Sequence, residues 1–168
     1  MLRIALLAGA ALLVASFSHP AAAQSAKALV GTWAPASATS TDASGTTTEP
    51  FGPRPTGMLI FTADGRYSLV IRRAELPKFA SGVRPKGTAD ENQAVVAGSI
   101  AHWGRYSVDE KAKTVSFNIE GATFANWDGT TQKRPFTVKG DEFSYRVPSP
   151  STGGSSAELV WKRVKPQL

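Results

Sequence analysis

Short runs of alternating apolar and polar residues, each closed off by turn chemistry, are what most limits the folds open to this chain. The turn chemistry is clearest where the strand-like runs Met58 to Thr62 and Arg66 to Arg72 flank Ala63-Asp64-Gly65, because Asp-Gly supplies the positive φ of a tight hairpin. It returns beyond Gly98. There the runs Ser99 to Val108, Thr114 to Glu120, Gln132 to Val138, Glu142 to Val147 and Leu159 to Val164 alternate with turns such as Asp109-Glu110-Lys111, Asp128-Gly129 and Lys139-Gly140-Asp141. With a first strand from Val30 to about Ala38, the chain should hold about eight to ten strands, an antiparallel barrel or sandwich rather than a parallel α/β fold.

Local signals refine this all-β reading. Pro35 cannot donate to a ladder, so the first strand should carry it at an edge, a bulge or a bend. Asp42-Ala43-Ser44-Gly45 predicts a turn into a polar strand through Thr46-Thr47-Thr48. Thr88-Ala89-Asp90-Glu91 has the form of a capping box, which predicts one short helix from about Ala89 to Ala97, ending at Gly98. Gln24 to Ala28 reads as a short frayed terminus, and no other helix is expected.

Cationic Arg3, the apolar run Ile4 to Phe17 and the small residues Ala21-Ala22-Ala23 have the layout of a secretory signal peptide cleaved after Ala23. The apolar core falls short of the ~20 residues that cross a bilayer. Residues 1–23 are therefore expected to be a leader and 24–168 one barrel domain, periplasmic or secreted, with no membrane span. The chain has no cysteine, which removes disulfides, thiol nucleophiles and thiolate metal sites. Its net charge is +6, but the pairs Arg72-Arg73, Lys133-Arg134 and Lys162-Arg163 fall in separate strand runs. A nucleic-acid binder would gather them into a stripe, so no nucleic-acid partner is expected.

Period-2 alternation sorts the faces of several strands: Val115, Phe117 and Ile119 share one, as do Phe143, Tyr145 and Val147, and Leu159, Trp161 and Arg163. Ser99 to Val108 is ambiguous, with His102, Gly104 and Tyr106 on one face and Trp103 and Arg105 on the other. A barrel enclosing a ligand has partly apolar walls on both sides, which produces such ambiguity. Tyr67, Trp103, Tyr106, Phe117, Trp127 and Tyr145 are the candidate ligand-binding wall, apolar surface with a few hydroxyl and indole donors. The alternative is that they fill a solid core.

Reactive chemistry is sparse. After the leader a single histidine remains, His102, without a Gly-x-Ser-x-Gly elbow, a P-loop or a zinc ligand set. No metal or cofactor is expected. If the chain is an enzyme, the candidates are His102, Glu120 and Arg105 as acid, base and anion clamp of an isomerase, cyclase or hydrolase. Arg72 and Arg134 are further strand cations that would bind a ligand carboxylate or enolate if they faced inward.

The order of motifs resembles a family of bacterial lipocalin-like domains. The likeness rests on Leu29-Val30-Gly31-Thr32-Trp33, Glu49-Pro50-Phe51-Gly52, Gly57 to Gly65, Pro77-Lys78-Phe79-Ala80, Gly104 to Asp109, Ile119-Glu120-Gly121 and Asn126-Trp127. It implies an up-and-down barrel closed at one end by the Gly-x-Trp tryptophan against a basic residue of the last strand. Gly31, Trp33 and Arg163 would be the structural residues of that closure. Relatives often carry histidine in the strand that here reads Ser116 to Glu120, a departure that leaves His102 alone. The expectation is a monomeric barrel that binds a small apolar or amphipathic molecule. The alternatives are the cofactor-free enzyme above and a non-catalytic envelope or stress protein with a protein partner.

Overall fold

The computed structural model describes residues 26–165; the expected leader lies outside the described residues. Its strands are β1 (Gly31–Thr41), β2 (Thr47–Thr48), β3 (Thr56–Phe61), β4 (Arg66–Arg72), β5 (Ser99–Asp109), β6 (Thr114–Ala122), β7 (Thr131–Lys139), β8 (Glu142–Val147) and β9 (Ser156–Arg163). Each strand from β3 onward pairs antiparallel with the next, and β1 pairs with both β3 and β9, which closes an eight-stranded barrel. β2 pairs only with the end of β1, through the turn that Asp42 stabilises by accepting from the Ser44 and Thr46 amides.

Closure removes the exposed edges of the eight barrel strands, leaving a free edge on the short β2. Pro35 lies beyond the β3 pairing, which ends at Trp33, so β1 is paired there with β9 alone, and a register shift falls between Pro35 and Ser37, the edge and bulge setting expected for a residue without a donor. A second shift falls between Trp103 and Gly104, where β5 meets β6. Gly104 has φ +156°, and a Cβ there would lie 2.1 Å from the Asn118 carbonyl oxygen, so the two strands approach too closely for a side chain.

The alternation expected on β6 and β8 sends Val115, Phe117, Ile119, Phe143 and Tyr145 into the interior, and β4 alternates in the same way, with Tyr67, Leu69 and Ile71 inside. Towards the end of the barrel where β1 begins, the lumen is packed solid. Phe61 stands edge-on to Tyr106 at 4.7 Å between centroids and to Phe143 at 5.7 Å, and Trp33 lies 5.5 Å from Phe143.

The segment expected to fray is instead a helical turn, α1 (Ala26–Leu29). Tertiary contacts override the weak intrinsic stability of so short a helix. Leu29 is fully buried, its carbonyl accepts from Trp33 Nε1 at 2.8 Å, and Arg163 binds the carbonyls on either side of it.

The second helix, α2 (Ala89–Gly98), begins at the predicted capping box: the Thr88 hydroxyl accepts from the Glu91 amide, and Glu91 accepts from the Thr88 amide at 2.8 Å. Only Gly98 of α2 is buried. The helix therefore sits on the rim of the barrel, at the end opposite α1, without contributing to the core. No described helix is long and apolar enough to cross a membrane.

Candidate luminal site

Away from α1 the aromatic filling stops short, and the lumen keeps a cavity of about 50 Å³. Leu69 and Ile71 of β4, Ile100 and His102 of β5, Tyr145 and Val147 of β8, and Ala157 and Leu159 of β9 supply its walls. Trp127 reaches it from a 3₁₀ turn, Ala125–Trp127, between β6 and β7. Phe51, the one large apolar group in the Pro- and Gly-rich loop before β3, stands at its mouth with Ser151 and Thr152. The loop is anchored where Arg73 Nε donates to the Pro50 carbonyl at 2.9 Å.

Outside the mouth lies a vestibule of about 590 Å³ bounded by Val95 and Val96 of α2, Phe124 and the 151–152 loop, and it shares Pro50, Phe51 and Ile100 with the inner cavity. The inner space exceeds what one water needs but is far below the ~300–1,000 Å³ of a drug-sized pocket. The vestibule supplies that range, and the inner cavity extends it into the lumen. The lumen is thus neither an open tube nor a solid core.

Two polar side chains are buried deep in this apolar wall. His102 shares a 2.8 Å hydrogen bond between Nδ1 and the Tyr67 hydroxyl, and its ring stands edge-on to Trp127 at 5.5 Å and Phe117 at 5.9 Å. Burial, reinforced by the charge of Arg134, pushes its pKa down to about 3, so the imidazole is neutral at physiological pH. Burial likewise raises the pKa of Tyr67.

Arg134 is 3 % exposed. Its guanidinium is clasped between the rings of Phe117 and Tyr145, at 4.7 and 4.9 Å from their centroids, and donates to Gln132 Oε1 at 2.5 Å. Its Nε has no hydrogen-bond partner among the described residues, nor do Tyr145 Oη and Trp161 Nε1. Burial raises the Tyr145 hydroxyl, and the neighbouring Arg134 and Trp161 N–H groups draw it part of the way back without reaching hydrogen-bond geometry.

Of the six aromatic residues expected to form a ligand wall, the structure brings Trp127 and Tyr145 to the cavity. Tyr67 and Phe117 are buried beneath it against His102. Tyr106 belongs to the packed end, its hydroxyl donating to the Thr62 carbonyl at 2.9 Å. Trp103 is a correction. It points outward and is half exposed, because its indole covers the bare backbone of Gly121, its partner on β6.

The same alternation corrects the expected acid–base set. His102 faces inward, whereas Arg105 and Glu120 face solvent, where Glu120 pairs with Arg66 at 3.2 Å and Arg105 at 3.8 Å. The three do not share a cavity. Arg134, weighed only as one of several strand cations, is the charge that faces the lumen. Its signal was the run Gln132-Lys133-Arg134-Pro135-Phe136, in which it shares a face with Phe136. Among the described residues, no group of three or more His, Asp or Glu side chains is placed to hold a metal ion. Gly31, Trp33 and Arg163 meet at the other end, with the guanidinium 4.0 Å from the Trp33 ring centroid and Nη1 against Gly31, where a Cβ would lie 2.8 Å away.

The solved structure of EF1p2_mFAP2b bound to DFHBI is 16% identical, with 84% of this chain and 98% of that chain covered and a TM-score of 0.39, a likeness too distant to bear on the site. A search of curated proteins finds no match. The family model described as lipocalin-like domain matches residues 30–164, nearly the whole described barrel, and the chain belongs to that family.

Proposed function

We propose that this protein is a secreted or periplasmic carrier that binds a small amphipathic molecule in the lumen of its barrel, without covalent chemistry. The observation that carries the reading is the half-filled lumen. One end is packed solid and locked by Trp33 and Arg163, while the other keeps an apolar cavity that continues into a vestibule. A barrel that needed only stability would gain from filling that space, since cavities cost packing energy. The leader-like layout of Arg3, Ile4 to Phe17 and Ala21 to Ala23 supports export.

The test is native mass spectrometry of the protein purified without denaturation from its own periplasm or medium, followed by displacement of a fluorescent lipid. The expected result is a co-purifying small molecule and displacement by amphiphiles, both lost in Ala157→Phe, which fills the inner cavity. Binding that survives Ala157→Phe unchanged would place the ligand elsewhere and overturn the reading.

A further inference from the structure

We infer that the luminal ligand is a carboxylate, an apolar-tailed acid whose head group docks on Arg134 and Tyr145. The inference rests on the luminal-binding reading and specifies its chemistry. A guanidinium cannot discharge itself by losing a proton, so a buried arginine ordinarily has a buried anion beside it. Here it has none: all 13 Asp and Glu residues lie among the described residues, and none of them is buried. The two flanking rings and the amide oxygen of Gln132 soften the charge but do not neutralise it.

The unsatisfied groups can also all donate a hydrogen bond, although the Tyr145 hydroxyl can accept as well. Arg134 Nε and Trp161 Nε1 are N–H donors, and the Tyr145 hydroxyl is free to donate. Arg134 and Tyr145 both line the inner cavity. What complements such a set is an acceptor-only, negatively charged group, and a carboxylate matches the planar fork of arginine. The inner cavity of about 50 Å³ suits a head group and little more. The tail would run out past Leu69, Ile71 and Leu159 into the vestibule, whose walls include Val95, Val96 and Phe124.

Isothermal titration with straight-chain carboxylates of four to twelve carbons, each beside the primary alcohol of the same length, tests this. In the natural protein the best carboxylate should bind about tenfold or more tighter than its alcohol, the effect of a hydrogen bond to a charged group. Arg134→Met should remove that advantage while leaving alcohol affinity within about threefold. Should Arg134→Met fail to fold, Tyr145→Phe is expected to weaken the carboxylate alone.

Equal affinity for acid and alcohol would overturn the carboxylate inference and leave luminal binding standing. A carboxylate affinity untouched by both substitutions would overturn it as well. No binding of either class at any length would overturn both readings.

Discussion

The guanidinium of Arg163 lies 4.0 Å from the ring centroid of Trp33 and donates to the carbonyls of Val30 and Ala28 at 2.9 and 2.8 Å. One cation thus fastens the last strand both to the first strand and to the helical turn that precedes it. Trp33 answers by donating from Nε1 to the Leu29 carbonyl. Trp33→Ala should destabilise the barrel by roughly 3–5 kcal/mol, as a large truncation at a fully buried position. Because the clasp is at the packed end, ligand preference should not change. Urea denaturation beside a ligand titration checks both halves, and a shift in ligand preference would mean that the two ends are coupled.

His102 makes stability depend on pH in a defined window. Its folded pKa is depressed from 6.5 to about 3, so between those values the unfolded chain binds a proton that the folded chain refuses. The stabilisation is complete above 6.5 and is lost as pH falls towards 3. The slope within the window is about 1.4 kcal/mol per pH unit. Comparing the natural protein with His102→Gln isolates this effect from the carboxylates. The stability difference between them should shrink by about 2–3 kcal/mol from pH 7 to pH 4.5. A difference that stays constant would show that His102 is already solvated in the folded state.

The external ion pairs should matter little. Glu120 is 44 % exposed and bridges Arg66 and Arg105, which are comparably open to solvent. Glu120→Gln should cost no more than about 1 kcal/mol, should do so only at low salt, and should leave ligand binding intact. A loss of binding in this variant would restore Glu120 to the functional site.

Which of these features could be read from the sequence follows from how each strand alternates. Where apolar residues keep strict period 2, as in Val115-Phe117-Ile119 or Phe143-Tyr145-Val147, the inner face was legible, and so were the Asp-Gly hairpin and the capping box at Thr88. β5 was not, because both of its faces carry an aromatic and a polar group. What decides it is Gly104, which lies where β5 and β6 crowd together, and Gly121, which draws Trp103 outward. Those are cross-strand facts that no single strand contains. Arg134 was misjudged because charge argues for solvent, and only the rings of Phe117 and Tyr145, contributed by neighbouring strands, make its burial tolerable. The turn at Ala26 to Leu29 was hidden for the same reason, since its partners lie on β1 and β9.

Phe51 lines both the vestibule and the inner cavity. It is nearly buried, yet it belongs to a loop rather than to the barrel wall. Phe51→Ala should therefore speed ligand dissociation more than it alters the selectivity set deeper in the lumen, as stopped-flow displacement would reveal. An unchanged off-rate would place the route of access elsewhere on the rim.

The most direct measurement is ¹H–¹⁵N correlation NMR of the protein titrated with octanoate. Binding in the lumen predicts that the largest shifts fall on Ile71, Ile100, His102, Arg134 and Leu159, with the amides around Trp33 and Arg163 unmoved. Shifts confined to the outer wall around Met58, Val70 and Trp103, or no shifts with octanoate, octanol or any other acid or alcohol of the series, would contradict it.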